Sequence, residues 1–362
     1  MGFEAAIFIK KHPELKNWLG FHPLLMFIYK MLKNNGVSIK LLNSLSKKKG
    51  IGRAAKYVLS EYYYRHGYYL CQKFGQRKKI FSNNKIKYDV SVIITTYNNK
   101  NVLEKCLDSI YKYTKDINFE IIVVDNHSQD GTIFLVEKKY PTIKYIYLED
   151  NYGFAKANNI GIMESCSKYI LLLNNDTLLF NNLIKDLHDF MEKDQNNSAC
   201  GPRLVDEKLR FQKQGSILFN LYLRIINKAV NVNFLPMTAF FIRKSVFDKI
   251  GLLDENFFFY NEDLDFALRM KKSDLVIRYI PSASLIHTGK GTAKYLPEKV
   301  IFESYKGGLY FVKKHYNRLI YIIYSIFVLF EINIKILYKK LEFKKNNREI
   351  TELRKAKKLI FN

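Results

Sequence analysis

Hydrophobic residues in the middle of the chain form short continuous runs, and these runs alternate with stretches of helical periodicity. The predicted strands are Val90–Thr96, Phe119–Asp125, Ile143–Leu148 and Tyr169–Leu173, and the predicted helices between them are Val102–Tyr113, Thr132–Lys139 and Gly153–Ser167. A strand that is apolar at every position is covered on both faces, because a strand with one solvent-exposed face alternates. The alternation of strand and helix predicts a doubly wound, mostly parallel α/β sheet flanked by helices.

The pattern becomes less regular after residue 178. The segment from Gly215 to Val232 is interpreted as a mobile loop. The further predicted elements are a helix at about Asn181–Met191, a buried strand at Leu235–Ile242 and helices at Lys244–Ile250, Glu262–Met270 and Val300–Tyr316.

Polar side chains lie at the ends of three predicted strands. Thr95 and Tyr97 end the first strand, Asp125 ends the second, and Asn175 and Asp176 follow the fourth. Because the carboxyl ends of parallel strands meet at one edge of the sheet, these side chains predict a ligand crevice there. Neither a Gly-x-Gly-x-x-Gly sequence nor a Walker A sequence is present, so the pattern does not favour a nicotinamide enzyme or an ATPase.

Asp176 allows two interpretations. Taken alone, it is better explained as a cap of the helix that follows. Together with the other polar strand ends it favours a divalent cation site, since a carboxylate can hold Mg²⁺ or Mn²⁺ against phosphate oxygens. His287, at the end of an apolar run and before a Gly-rich stretch, is a second candidate ligand, although a lone histidine is more often structural.

An acidic cluster follows four consecutive aromatic residues at 257–260. Within a helix, Asp265 and Arg269 are four residues apart and can pair, which leaves Asp263 to face a pocket. An apolar surrounding raises the pKa of a carboxyl group and makes it a better base, so Asp263 and its neighbour Glu262 are the candidate catalytic residues. An acidic helix N-terminus that merely stabilises the helix dipole would give the same pattern.

The net charge of +25 belongs to the two ends of the chain. Residues 1–88 contain 18 Lys+Arg against 3 Asp+Glu, and residues 308–362 contain 13 against 4. Basic and aromatic residues interleaved in this way suit an anionic membrane surface, which we favour over a solvated helical face and over nucleic acid. We interpret residues 1–88 as a basic helical extension, 89–310 as the α/β domain and 311–362 as a basic amphipathic helical region.

Leu319–Phe330 is a run of twelve residues without a charge. It is shorter than the roughly 20 residues that a membrane span needs. We therefore favour an amphipathic helix lying in the membrane surface over a true span. The four cysteines show no paired spacing, and no secretory signal is recognised, so we expect a cytoplasmic protein attached to the inner face of the membrane.

Together these motifs resemble glycosyltransferase family 2, and most closely its bacterial rhamnosyltransferase-like branch. The resemblance is carried by Thr-Thr-Tyr-Asn at 95–98, Val-Val-Asp at 123–125, Asn-Asn-Asp at 174–176, Glu-Asp-x-Asp-x-x-x-Arg at 262–269 and His-Thr-Gly-Lys-Gly-Thr at 287–292. It covers about residues 88–310 and implies a GT-A fold and an inverting transfer from a nucleotide-sugar donor, with a divalent cation as cofactor.

The resemblance also implies roles for individual residues. Thr95, Tyr97 and Asp125 match positions that hold the base and ribose, and Lys156 and Asn158 match positions that contact the donor. Asp176 and His287 match metal ligands. Asp263 matches the catalytic base. One departure concerns the metal-binding motif, in which Asn174 and Asn175 stand where the family has more acidic residues. An amide oxygen coordinates a hard cation more weakly than a carboxylate does, so Asn174 and Asn175 are at most secondary ligands, and Asn175 is counted among the donor-binding residues.

The donor suggested first by the resemblance is dTDP-rhamnose, with a UDP-hexose or UDP-galactofuranose as alternatives. The expected acceptor is a hydroxyl of a glycan or of a polyprenyl-diphosphate-linked sugar. A membrane-bound scaffold that binds sugar-nucleotides without catalysis is the rival function. A nucleotidyltransferase is disfavoured, because the loop after the first strand contains no glycine.

Overall fold

The computed structural model describes residues 86–289, 291, 297–341 and 347–360. The predicted basic helical extension, residues 1–88, therefore lies outside the described residues except for its last three positions. All statements below concern the second of two compact units, which begins at Lys79.

The described residues contain nine strands and ten helices. The strands are β1 (Tyr88–Thr96), β2 (Phe119–Asp125), β3 (Lys144–Tyr147), β4 (Ser167–Asn174), β5 (Thr177–Leu178), β6 (Asn197–Val205), β7 (Val230–Val232), β8 (Ala239–Arg243) and β9 (Val276–His287). The helices are α1 (Lys100–Tyr113), α2 (Thr132–Lys139), α3 (Phe154–Glu164), α4 (Leu183–Lys193), α5 (Ile217–Ile225), α6 (Ser245–Ile250), α7 (Glu262–Lys271), α8 (Pro297–His315), α9 (Arg318–Leu341) and α10 (Asn347–Lys358).

All nine strands belong to one mixed sheet with the order β3-β2-β1-β4-β8-β6-β9-β5, and β7 pairs with β9. The first four strands of this order are parallel. β8 runs antiparallel to both β4 and β6, whereas β6 and β9 are parallel to each other. The α/β fold with flanking helices is confirmed, and the antiparallel β8 marks the point where the parallel half of the sheet ends.

Both faces of the central strand β1 are covered, as its continuous apolar sequence predicts. Val92 and Ile94 belong to the main core cluster. Ile93 alternates with them and therefore faces the other side of the sheet, where α3 packs. A Cβ at Gly161 of α3 would lie 2.4 Å from Ile93 Cγ2, so only glycine lets this helix approach the strand so closely.

The segment from Gly215 to Val232 is not a loop, and the interpretation as a mobile loop is wrong. It contains α5 and the short edge strand β7. The Ser216 side chain accepts a hydrogen bond from the Phe219 backbone N–H at 3.4 Å, which caps the first turn of α5. Asn220 closes the turn before the helix by accepting from the Gln214 N–H and donating to the Gly215 carbonyl, both at 2.7 Å.

Three helices follow the sheet and pack on one another. Val328 and Ile332 of α9 and Leu353 and Ala356 of α10 form their shared apolar core. The predicted boundary at residue 310 falls inside α8, which continues to His315. Among the described helices only α9 is long and apolar enough to cross a membrane, over Arg318–Lys340, judged by length and composition alone.

Candidate active site

A cavity of about 340 Å³ opens at the carboxyl ends of β1 and β4. It is bordered by residues from both strand ends, from the start of α3, from the segment before α7 and from the end of β9. Of the predicted site residues, the cavity brings together Thr95, Tyr97, Asn175, Asp176, Glu262, Asp263 and His287. Residues almost 200 positions apart in sequence therefore meet in one cavity, at the sheet edge where open α/β folds bind their ligands.

Thr95, Tyr97 and Asn175 form the wall beside the strand ends. Asn175 is buried, and its amide nitrogen donates to Thr96 Oγ1 at 3.0 Å. The amide is thereby held in one orientation across the β1–β4 junction. The role of Asn175 in ligand binding stays a prediction.

Asp125 lies behind the cavity wall. Its carboxylate is fully buried, accepts a hydrogen bond from the Ser128 backbone N–H at 2.7 Å and accepts a second one from the Tyr145 hydroxyl. Burial is the main cause that raises its pKa to about 6. The next residue, Asn126, reaches the cavity and fixes the following loop by donating to the Gly153 carbonyl at 3.2 Å. A direct contact of Asp125 with a nucleotide stays a prediction.

Lys156 and Asn158 do not border the cavity. The Lys156 ammonium lies 4.1 Å from the centre of the Tyr152 ring, and the Asn158 side chain is buried and donates to the Phe154 carbonyl of its own helix at 2.9 Å. The first residues of α3 face the cavity instead. The role of Lys156 and Asn158 in donor binding stays a prediction that this arrangement does not support directly.

The start of α3 is attached to the segment that precedes α7. The Phe154 backbone N–H donates to the Phe258 carbonyl at 2.8 Å. Gly153 has a φ of +85°, and a Cβ there would lie 2.3 Å from the same carbonyl oxygen. Only glycine permits this crossing of two backbones. Two walls of the cavity are therefore held at a fixed distance by main-chain atoms.

Asp176 and His287 lie opposite each other at the end of the sheet. The pairing of β5 with β9 sets Thr177 against His287, and His287 Nε2 is 3.3 Å from Asp176 Oδ1. His287 Nδ1 is 2.9 Å from Gln212 Oε1, a contact that orients the ring so that Nε2 points to Asp176. Asp176 Oδ1 is buried and has no hydrogen-bond partner.

This pair has the chemistry of a divalent cation site. A carboxylate oxygen and an imidazole nitrogen are both ligands that bind Mn²⁺, and a buried carboxylate oxygen that accepts no hydrogen bond is costly unless a cation or a charged group lies beside it. A Cβ at Gly291 would lie 2.9 Å from Asp176 Oδ2, so the chain passes close to the carboxylate on its other side. Among the described residues no group of three or more His, Cys, Asp or Glu side chains is assembled.

Glu262 and Asp263 begin α7 on the opposite wall. The turn before them is tight, since Tyr260 and Asn261 have φ values of +68° and +69°. Burial raises the pKa of Asp263 to about 6, and its Oδ1 accepts a hydrogen bond from the Leu264 backbone N–H at 2.8 Å. Burial, and then the charge of Asp263, raise the pKa of Glu262 well above its ordinary value, and Glu262 Oε2 has no hydrogen-bond partner.

Asp265, on the buried side of α7, holds the helix in place. Its Oδ2 accepts from Arg269 Nε at 2.8 Å, as the four-residue spacing predicts. Its Oδ1 pairs with Lys314 Nζ at 2.6 Å and with His315 Nε2 at 2.7 Å, and these two residues end α8. Asp265 thus joins the helix that carries Asp263 to the C-terminal helices.

Lys299 lies at the cavity edge and is not among the predicted site residues. Its ammonium stands 3.7 Å from the centre of the Phe258 ring, and the residue borders the same cavity as Asp176. A cation at this position suits a phosphate group. No local signal in the sequence marks Lys299, because its place depends on how α8 folds back over the domain.

Comparisons with known proteins show what this chain is similar to. Residues 91–251 match the family model described as glycosyl transferase family 2. The chain is 25% identical over 211 residues to the dTDP-rhamnosyl transferase RfbF of Shigella flexneri, a match that covers 55% of this chain and 69% of that protein. It is 30% identical over 125 residues to the poly(ribitol-phosphate) beta-N-acetylglucosaminyltransferase TarP of Staphylococcus aureus (strain N315), covering 33% of this chain and 38% of that protein.

Among solved structures, the crystal structure of GalNAc-T7 with UDP, GalNAc and Mn²⁺ is similar to this fold. The TM-score is 0.51 at 14% sequence identity, and the match covers 76% of this chain and 54% of that chain. A likeness at this level of identity concerns the fold alone, and it is the GT-A fold that the resemblance implied. Over residues 91–251 the chain is therefore similar to glycosyltransferase family 2, and its α/β domain has the GT-A fold.

Proposed function

We propose that this protein is an inverting, metal-assisted glycosyltransferase that transfers a sugar from a nucleotide-sugar to a hydroxyl of a lipid-linked or cell-surface glycan. The observation that carries the proposal is the position of two carboxyl groups in one cavity. Asp176 presents a buried oxygen beside His287 Nε2 on one wall, and Asp263, with a pKa raised to about 6, lies on another. One suits the diphosphate of a donor, and the other suits an acceptor hydroxyl.

The donor lies along the strand ends in this proposal. Thr95, Tyr97 and Asn126 line the part of the cavity next to β1 and β2, where a nucleoside fits, and Asp125 stiffens the loop behind them. Asp176 and His287 would hold a divalent cation, which supplies positive charge against the diphosphate when it is bound. Lys299 at the cavity edge adds a second positive charge for the same phosphates.

Asp263 acts as the general base in the proposed reaction. It takes the proton of the acceptor hydroxyl while that oxygen forms a bond to the anomeric carbon. The bond from the anomeric carbon to the diphosphate oxygen breaks on the opposite side, so the configuration is inverted. The nucleoside diphosphate leaves with the electron pair, and its charge is stabilised by the groups around Asp176. Burial, together with the charge of Asp263, raises the pKa of Glu262 well above its ordinary value, so the pair favours a single negative charge, carried by Asp263.

The donor proposed first is dTDP-rhamnose, and the similarity to RfbF supports this choice. A UDP-hexose or UDP-galactofuranose is the alternative. A panel of these donors, compared by thermal shift with Mg²⁺ and with Mn²⁺, tests the choice. We expect dTDP-rhamnose to give the largest increase in melting temperature, and a larger increase with a UDP-sugar would replace it as the donor.

The proposed place of action is the inner face of the cell membrane. Basic residues concentrate at both ends of the chain, and α9 exposes a row of large apolar residues that includes Leu319, Ile323, Phe327 and Phe330. Apolar side chains beside basic residues suit the boundary between headgroups and acyl chains. A polyprenyl-diphosphate-linked acceptor would be available at that boundary.

Asp176→Asn is expected to remove the effect of metal on nucleotide binding, because the amide keeps the shape of the side chain and loses its charge. In titration calorimetry with dTDP, we expect Mn²⁺ to increase the affinity of the wild type at least tenfold, about 1.4 kcal/mol, and to leave the affinity of the variant unchanged. Asp274→Asn, an exposed change of the same kind, is the control. Equal metal dependence in Asp176→Asn and in the wild type would exclude the cation site.

The pH dependence of transfer follows from the pKa of Asp263, which burial raises to about 6. The base must be ionised, so the active fraction decreases as the pH falls through 6. We expect log kcat/KM to decrease by about one for each pH unit below that value and to be level above it. Circular dichroism at each pH establishes that the fold persists. A level profile down to pH 5 with the fold intact would contradict the assignment of the base.

A further inference from the structure

The helix α5 is apolar on nearly all sides but buries only one of them. Leu223 is fully buried, whereas Ile217, Leu218 and Ile225 are 78%, 79% and 79% exposed. Leu221 and Tyr222 are exposed as well. A helix that is apolar all round normally lies inside a protein or in a membrane. The outer face of α5, formed by Ile217, Leu218, Leu221, Tyr222 and Ile225, therefore needs an apolar partner.

A second cavity, of about 590 Å³, lies at the N-terminal end of α5. Phe219 of the helix borders it, and so does Phe234 from the segment before β8. Tyr260 and Asp263 border both this cavity and the one at the strand ends. A molecule in the second cavity would therefore approach Asp263 from the side away from the strand ends.

The charge around α5 indicates what its outer face meets. From Lys208 to Phe247 the chain contains seven Lys and Arg residues and no Asp or Glu, although residues 89–307 are nearly balanced in charge. Lys213, Arg224 and Lys228, which flank or belong to the helix, are exposed. Large apolar side chains flanked by basic ones match an anionic lipid surface, where each basic residue contributes on the order of 1 kcal/mol.

We propose that the outer face of α5 inserts into the surface of an anionic bilayer. The second cavity then opens next to the headgroups. If the proposed function holds, the acceptor that reaches Asp263 through this cavity is an amphiphile, with its sugar in the cavity and its apolar chain in the membrane. The membrane contact at α5 is separate from the one proposed for α9, since it belongs to the domain that carries the catalytic residues.

Tryptophan fluorescence with full-length protein tests this proposal. Trp18 is the only tryptophan, so Leu218→Trp in a Trp18→Phe background reports on α5 alone. The probe is a vesicle of phosphatidylglycerol and phosphatidylcholine with brominated acyl chains. Bromine quenches tryptophan fluorescence only at close range. We expect emission typical of water exposure in buffer, and a blue shift with strong quenching when the vesicles are added.

Phe134→Trp in the same background is the matched control. Phe134 is an exposed aromatic residue on α2, a helix that contributes nothing to either cavity. We expect no quenching at this position. Equal quenching at both positions, or none at Leu218→Trp, would overturn the proposal. Blue-shifted emission of Leu218→Trp without vesicles would also overturn it, because another part of the chain or a second copy would then cover α5.

The measurement uses neither donor nor acceptor, so its outcome is independent of the proposed reaction. Quenching without transfer activity would leave the membrane contact in place and remove the proposed function. Transfer activity without quenching would remove the membrane contact and leave the proposed function in place. A variant that combines Asp263→Asn with Leu218→Trp should be quenched to the same extent as Leu218→Trp alone. The Asp263 side chain borders the cavity and does not belong to the outer face of α5.

Discussion

Asp263→Asn is expected to reduce the rate of sugar transfer by a factor of about 10²–10⁴, the range in which general-base catalysis contributes. Asparagine fills the same space but cannot accept the proton of the acceptor hydroxyl. Donor affinity should be retained, because the groups beside the strand ends and around Asp176 are unchanged. Transfer of labelled sugar and calorimetric binding of the donor are the two measurements.

Two further variants make this result specific. Asp248→Asn changes an exposed carboxylate on α6 and should transfer at the rate of the wild type. Glu262→Gln changes the buried neighbour, and we expect a smaller loss than for Asp263→Asn. If Glu262→Gln abolished transfer while Asp263→Asn retained it, the base would be Glu262.

Asp265→Ala is expected to lower the free energy of unfolding by about 3–5 kcal/mol, the usual cost of breaking a buried ion pair. The Asp265 carboxylate is 0% exposed and forms ion-pair contacts with Arg269, Lys314 and His315. Alanine would leave Arg269 without its acidic partner in a partly buried place, whereas Lys314 would keep only its contact with Asp254. Urea denaturation followed by circular dichroism measures the change.

An exposed ion pair provides the comparison. Asp206 pairs with Arg210 at 2.6 Å, and the arginine side chain is 71% exposed. Asp206→Ala should cost between zero and about 1 kcal/mol, as surface pairs do. Similar losses in both variants would show that the contacts of Asp265 contribute no more than a surface pair.

The sign of the pH effect on this network is fixed by the pKa of Asp265. Burial alone would raise it, but Lys314, Arg269 and His315 together hold it below its ordinary value. The ionised carboxylate therefore stabilises the fold above the pKa of the unfolded chain, near 3.8, and the stabilisation is lost as the pH falls through the lower, folded pKa. The stability difference between the wild type and Asp265→Ala should accordingly shrink in strong acid.

Local patterns in the sequence were sufficient for the parallel half of the sheet and for one wall of the cavity. The apolar strand ending at Asp176 and the acidic helix start at Asp263 are each visible within about ten residues. The pairing of Asp265 with Arg269 is visible too, because it depends only on the pitch of a helix. These predictions concern contacts that are close in sequence, and the structure has them where the spacing indicates.

Contacts between distant segments could not be predicted in this way. Lys299 reaches the cavity, and Lys314 reaches Asp265, only because α8 folds back over α7. The insertion of β8 between β4 and β6 is also decided by long-range packing and not by any local pattern. The helix α5 is an exception, since Ser216 followed by an apolar run is a recognisable helix start that the loop interpretation overlooked.

The end of α8 has a practical consequence for anyone who prepares this enzyme. Deleting the C-terminal helices would be the obvious way to obtain a more soluble protein, because α9 carries ten of the 22 large apolar side chains that are exposed in the part of the chain the structure describes. A deletion that begins at the predicted boundary of residue 310 also removes Lys314 and His315. Asp265 would then be a buried charge with one partner left, in the helix that carries Asp263. Shortened proteins should therefore end after residue 316, so that Asp265 keeps its contacts with Lys314 and His315.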